Sequence, residues 1–202
     1  MMIPRRLVIL GLASLPGCAA IQSLNEAATP RDTYELQPVR RAMAGRRSAG
    51  TLLVLDPTAP AAIASDRILI RKSPLSVTYL PDVRWSAAVP DMLQSVLIQS
   101  LAASGRIGFV GAQGAGPVPD TVLLSRIDQF GVDVTGDGQF RVQVAVELTM
   151  LRDRDQRVLG TRQFAGDLLI GSDQPEPITR GFQQLLDSLL PDVVAWVTTR
   201  ST

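Results

Sequence analysis

The stretch from Gln139 to Met150 follows period two. Phe140, Val142, Val144, Val146, Leu148 and Met150 share one side, and Arg141, Gln143, Glu147 and Thr149 share the other. Strict period two over this length predicts a strand with one buried and one wet face. Val122 to Val134 precedes it across Gly136-Asp137-Gly138, a turn sequence, so the two predict a hairpin. Asp153 to Gln156 turns the chain again, into a third strand from Val158 to Asp167. Upstream the strand signals are shorter. Tyr34-Glu35-Leu36-Gln37-Pro38 alternates and stops at proline, and Thr51 to Leu55 is a continuous apolar run that reads as a buried strand. Arg67 to Ile70 and Leu75 to Leu80 predict two strands on either side of Pro74, and the Gly-rich segment 111–119 predicts a loop.

Two segments change to helical period. Pro90 opens the first and Gly105 closes it, the proline-early, glycine-late asymmetry of helix ends. Leu93, Leu97 and Leu101, with Met92 and Val96 beside them, form a stripe that faces a core. Pro175 and Pro177 introduce the second. Its stripe runs through Phe182, Leu185, Leu186, Leu189, Leu190, Val193, Val194 and Val197. Pro191 removes a hydrogen bond to Asp187, so this helix is expected to kink or split there. The interleaved order predicts an α/β or α+β sandwich: a mixed, largely antiparallel sheet packed against two main helices.

The N-terminus follows a different logic. Arg5 and Arg6 precede an apolar stretch from Leu7 to Leu15, followed by Leu15-Pro16-Gly17-Cys18. That order is a secretory signal, whose apolar region runs about 7–15 residues, and it is short of the roughly 20 that span a bilayer. Leucine three before a cysteine, with glycine just before it, resembles the lipobox of bacterial lipoproteins. Cys18 is the only cysteine and has no internal disulfide partner. The expected organisation is a signal peptide over 1–17, a lipidated N-terminus and tether over 18–33, and one domain over 34–202. Acyl chains on Cys18 would hold the protein to a membrane facing the periplasm. In such lipoproteins an aspartate after the cysteine favours the inner membrane, so Ala19 points to the outer membrane.

Composition narrows the chemistry. The chain has 20 basic and 19 acidic residues; without Arg5 and Arg6 the balance is 18 against 19, a net charge of −1. Nothing in that balance marks a nucleic-acid binder. There is no histidine, which rules out a Ser-His-Asp triad and a His-based zinc site. No P-loop run is present, and Lys72 is the only lysine. Asp133-Val-Thr135-Gly-Asp137-Gly138 resembles the opening of a calcium loop, but the twelfth position is Val144 and the flanks are strands, so a hairpin turn is the better reading. Gly111-x-x-Gly114-x-Gly116 lacks the strand–helix context of a dinucleotide site. Arg40, Arg41, Arg46 and Arg47 read either as a solvated loop or as a contact for anionic lipid or an acidic partner. Trp85 and Trp196 read as core or interface anchors.

The segment from Tyr34-Glu35-Leu36-Gln37-Pro38 onward resembles the ABC-type transport auxiliary lipoprotein component family. The likeness continues in Asp66-Arg67-Ile68, Tyr79-Leu80-Pro81-Asp82 and Arg84-Trp85, then through Pro90, Leu93, Leu97, Leu101, Ser104-Gly105 and Val110. The family includes the lipoprotein of the paraquat-inducible system. The resemblance implies a non-enzymatic docking subunit of an envelope lipid transporter. Its partners would be a substrate-binding protein with a mammalian-cell-entry domain and, through it, an ABC permease and ATPase, with lipid as a further contact. It implies no cofactor and no catalytic residue. The alternative is a stand-alone envelope-assembly lipoprotein that binds another envelope protein or peptidoglycan. Tyr79, Arg84 and Trp85 are the candidate partner contacts, because aromatic and arginine side chains anchor interfaces. The competing reading of Trp85 is core, since large aromatics are highly buried on average.

Overall fold

The computed structural model describes residues 31–114 and 116–201. The elements follow in the order β1 (Asp32–Tyr34), β2 (Thr51–Val54), β3 (Leu69–Ser73), β4 (Ser76–Tyr79), β5 (Val83–Trp85), α1 (Val89–Ala103) and β6 (Phe109–Ala112). Then come β7 (Thr121–Val134), β8 (Phe140–Arg152), a 3-10 turn (Asp153–Asp155), β9 (Arg157–Ile170) and α2 (Pro175–Thr198).

The meander β7–β8–β9 is the scaffold, and its strands pair antiparallel along nearly their whole length. At the β7–β8 turn the Thr135 N–H donates to the Gln139 carbonyl at 2.8 Å, and Gly138 sits at φ 77°, a left-handed conformation that glycine adopts with least strain. Asp133 faces Arg71 and Asp137 accepts from the Thr135 hydroxyl, so this is a hairpin turn.

A β-bulge decides which side chains of β7 point inward. Ile127 lies opposite Val146 and Gln129 opposite Ala145, which leaves Asp128 as the extra residue. Before the bulge the inward-facing buried residues include Leu123, Ser125 and Ile127; after it, Phe130 and Val132. The inward parity changes from odd to even while β8 keeps its even set throughout. The free edge of β7 is covered in three steps, by β2, by a single bridge at Thr58 and by β3, all parallel to it. β6 extends β2 in parallel, and β4 extends β3 antiparallel. The result is an open mixed sheet of seven strands, with a separate parallel pair β1–β5.

Both helices lie on one face of this sheet, α2 over β8 and β9 and α1 against β2 and β6. The α1 stripe is buried as its spacing predicts: Met92, Leu93, Val96, Leu97 and Leu101. Gly105, at φ 68°, ends that helix. The other sheet face stays polar, with Arg126 to Glu147 at 2.9 Å and Arg141 to Asp167 at 3.5 Å. The expected class, a mixed sheet against two helices, is the one observed. Asp32–Thr202 forms one compact unit. Among the described residues no helix is long and apolar enough to cross a membrane.

Three expectations are corrected. The first strand is Asp32–Tyr34, and Leu36 is instead a buried plug beyond it. Tyr34 pairs with Trp85 of β5, a strand that the pattern did not reveal because three residues cannot display a period. Residues 111 and 112, assigned to a loop, complete β6, where pairing with β2 outweighs the weak strand preference of glycine. Finally α2 is not split at Pro191. Phe182, Leu185 and Leu186 before the proline and Val193, Val194 and Val197 after it are buried on the same core, and that burial exceeds the roughly 3 kcal/mol an interior proline costs.

Candidate functional site

The end of the sheet where β3, β7 and β8 meet the start of α2 is concave. Ile70 of β3, Tyr79 and Leu80 at the end of β4, Val134 and Phe140 beside the hairpin turn, and Ile178 of α2 line a groove of about 970 Å³. These side chains converge because β4 and β7 both finish here and α2 begins above them. Asp82, at φ 57°, turns the chain sharply between β4 and β5 and sets one wall; aspartate tolerates that left-handed conformation. The rim is charged, with Asp32, Asp82 and Asp173 against the single Lys72.

The three candidate contact residues go to three surroundings. Tyr79 is half-buried on the groove wall. Its hydroxyl donates to the Ala62 carbonyl at 3.2 Å, and the Arg67 guanidinium lies 4.2 Å over its ring. The hydroxyl and one ring face of Tyr79 are thus engaged by the segment between β2 and β3, which restrains the ring. Arg84 is exposed, and its Nε donates to the Thr33 hydroxyl at 3.4 Å across the β1–β5 pair.

Of the two readings of Trp85, partner contact and core, the core reading holds and the contact reading is corrected. Trp85 is 1% exposed and belongs to the core. The alternation of β5 explains the separation: Val83 and Trp85 point inward and Arg84 outward. Trp85 meets Phe130 and Phe182 edge to face, with centroids 6.0 and 5.3 Å away. The other tryptophan, Trp196, is also buried, against Phe164 on one side and beneath Arg200 on the other. Cys18 lies outside the described residues.

The groove residues that sequence reasoning missed are Ile70, Val134, Phe140 and Ile178. Each reads as an ordinary apolar position in its own element, and no local signal distinguishes a side chain at the end of a sheet from one in its middle. Among the described residues that line this groove, no set of catalytic or metal-ligating side chains gathers. The carboxylates on its rim come from separate segments of the chain, and among the described residues no cluster suited to a metal ion occurs.

The fold and sequence have relatives. Protein XCC0632 from Xanthomonas campestris superposes with a TM-score of 0.72 at 24% identity, covering 83% of this chain and 95% of its own. An uncharacterized protein of known structure gives 0.63 at 16% identity, covering 83% of this chain and 98% of its own. Lipoprotein GNA1162 from Neisseria meningitidis aligns at 12% identity over 72% of this chain and 98% of its own, with a TM-score of 0.40. No curated protein matches the sequence. The family described as ABC-type transport auxiliary lipoprotein component matches residues 34–194, from the Tyr34 that opens the sequence resemblance to Val194 of α2. The chain therefore belongs to the ABC-type transport auxiliary lipoprotein component family.

Proposed function

We propose that this protein is a membrane-anchored periplasmic lipoprotein that serves as the non-enzymatic docking subunit of an ABC-type lipid transporter of the mammalian-cell-entry kind. It sits at the outer membrane and receives the transporter's periplasmic substrate-binding protein. The family match over residues 34–194 carries the reading. Leu15-Pro16-Gly17-Cys18 and Ala19 support the anchor and the choice of membrane. Tyr79, fixed on the groove wall, and Arg84, exposed beside the β1–β5 pair, are the proposed partner contacts, while Trp85 contributes only by holding the fold.

The test is affinity capture of the lipoprotein from detergent-solubilised envelopes, with folding of each variant followed by circular dichroism. Recovery of a mammalian-cell-entry protein with its permease and ATPase is expected. Arg84→Ala should weaken that recovery while leaving stability within about 0.5 kcal/mol, as for other exposed positions. Recovery of envelope proteins without any transporter component would move the assembly-lipoprotein reading ahead.

A further inference from the structure

The end of the domain opposite the groove gathers arginines from four separate parts of the chain. The loop before β2 is tied down there. Arg47 donates to the Gly108 carbonyl at 2.8 Å, and Arg106 donates to the Ala44 and Arg46 carbonyls at 2.7 and 3.0 Å. The Ser48 hydroxyl donates to the Ser201 carbonyl at 3.3 Å, which joins this loop to the end of α2. On the other side, Arg152 ends β8 opposite Arg157, which begins β9, and the 3-10 turn between them presents Arg154. Arg200 follows α2, stacked 4.7 Å over the Trp196 ring.

Between these elements lies a cleft of about 730 Å³, lined by Arg152, Arg154, Arg200, Asp120 and Leu159. Among the described residues that line it, three guanidinium groups face one carboxylate, and that carboxylate already accepts the Thr51 N–H at 2.8 Å. Arg152 reaches Asp155 at 3.3 Å, a partly exposed pair of small worth. Among the described residues Arg154 has no hydrogen bond or ion pair. Placing Arg152 and Arg157 directly across from each other is itself unfavourable, as like charges on paired strands are. An anion in the cleft would meet Arg152, Arg154 and Arg200 together, and the guanidinium fork matches a phosphate or a carboxylate.

The surroundings discriminate between those two. Val118, 84% exposed, precedes the Pro119 that lines the cleft, and Val158, 56% exposed, lies at the same end of the sheet on the face opposite Arg152 and Arg157. Basic side chains beside exposed apolar ones match a membrane interface, where phosphates attract the charge and the acyl boundary accepts the valines. We propose that this cleft binds the phosphodiester headgroup of an anionic phospholipid and seats this end of the domain on an anionic bilayer surface. The assignment rests on the cleft alone and holds whether or not the chain serves a transporter.

The test uses the full chain in dodecyl maltoside micelles and follows the arginine Nε–H resonances by NMR. Doping the micelles with phosphatidylglycerol should move Arg152, Arg154 and Arg200 saturably, and added salt should weaken the effect. Phosphatidylcholine, whose headgroup has no net charge, should leave them in place. The double substitution R152Q/R154Q should weaken phosphatidylglycerol binding about tenfold or more, and Lys72→Gln at the opposite end should not change it. Should the double variant lose its native circular dichroism, R154Q alone on the exposed turn carries the same comparison with a smaller loss. Equal shifts with both lipids, or unchanged affinity in R154Q, would overturn the proposal. Saturation by inorganic phosphate as tightly as by phosphatidylglycerol would also overturn it, in favour of a soluble-phosphate site. Binding of polyglutamate but of neither lipid would place an acidic protein there instead.

Discussion

Trp85 stands edge-on to Phe182, with ring centroids 5.3 Å apart and planes at 87°. Trp85 belongs to the small β1–β5 pair and Phe182 to α2, and Phe130 of β7 stacks on Phe182 at 4.8 Å. Three elements that share no strand pairing are thereby joined through three rings. Edge-to-face pairs add about 0.5–1.5 kcal/mol to the burial of the rings themselves.

Trp85→Ala should therefore cost roughly 3–5 kcal/mol, the range for removing a large aromatic from a core. Urea unfolding followed by circular dichroism measures it. A loss below about 0.5 kcal/mol, the scale of a surface site, would show that the ring is dispensable to the fold.

Leu97 lies in the middle of the α1 stripe and is 2% exposed. Leu97→Ala should cost about 2–5 kcal/mol, with the exact loss set by how far neighbours close around the gap. Thermal unfolding is the measurement, and an unchanged transition would contradict the burial of this face.

Pro191 interrupts the hydrogen bonding of α2 while the helix continues through it. Pro191→Ala restores an N–H at that position and should raise stability by about 1–3 kcal/mol. Pro191 also lines a small cavity with Val39, Met43 and Val194, so a fall in stability on replacement would mean that its ring is needed to pack the loop there.

Arg126 donates from Nε to Asp128 at 2.8 Å and reaches Glu147 at 2.9 Å. The hydrogen bond from Arg126, with the charge attraction adding to it and desolvation opposing it, holds the Asp128 carboxyl below its ordinary range. A carboxylate with a depressed folded-state pKa stabilises above its unfolded value and loses that contribution as pH falls through the folded value. Melting temperatures of wild type and Asp128→Asn should thus differ slightly near neutral pH and converge in acid, the small size reflecting the exposure of the pair. A gap that widens as the pH drops would contradict this role.

Cys18→Ser removes the proposed acylation site. Metabolic labelling with a radioactive fatty acid should mark the parent protein and not the variant. Equal labelling of both would exclude Cys18 as the point of attachment.

Period two along β8 and the leucine stripe of α1 were sufficient to define the meander, the first helix and the core positions of both, because a long amphipathic element can bury only one side. Residues 133–138 likewise contain their own turn geometry. Other features depend on contacts distant in sequence. Asp128 becomes a bulge only against β8, and β1 and β5 exist as strands only because Tyr34 finds Trp85 as a partner. Pro191 is held in an unbroken helix by side chains packed beneath it on both sides. The same holds for the two concave ends. Tyr79 and Ile178 meet across a groove because α2 starts above the end of β4, and Arg152, Arg154 and Arg200 share a cleft because β8, the 3-10 turn and α2 finish together. Side-chain alternation is a property of neighbours along the chain, whereas a groove and a charge cluster arise where separate elements end side by side, and only tertiary packing decides where that is.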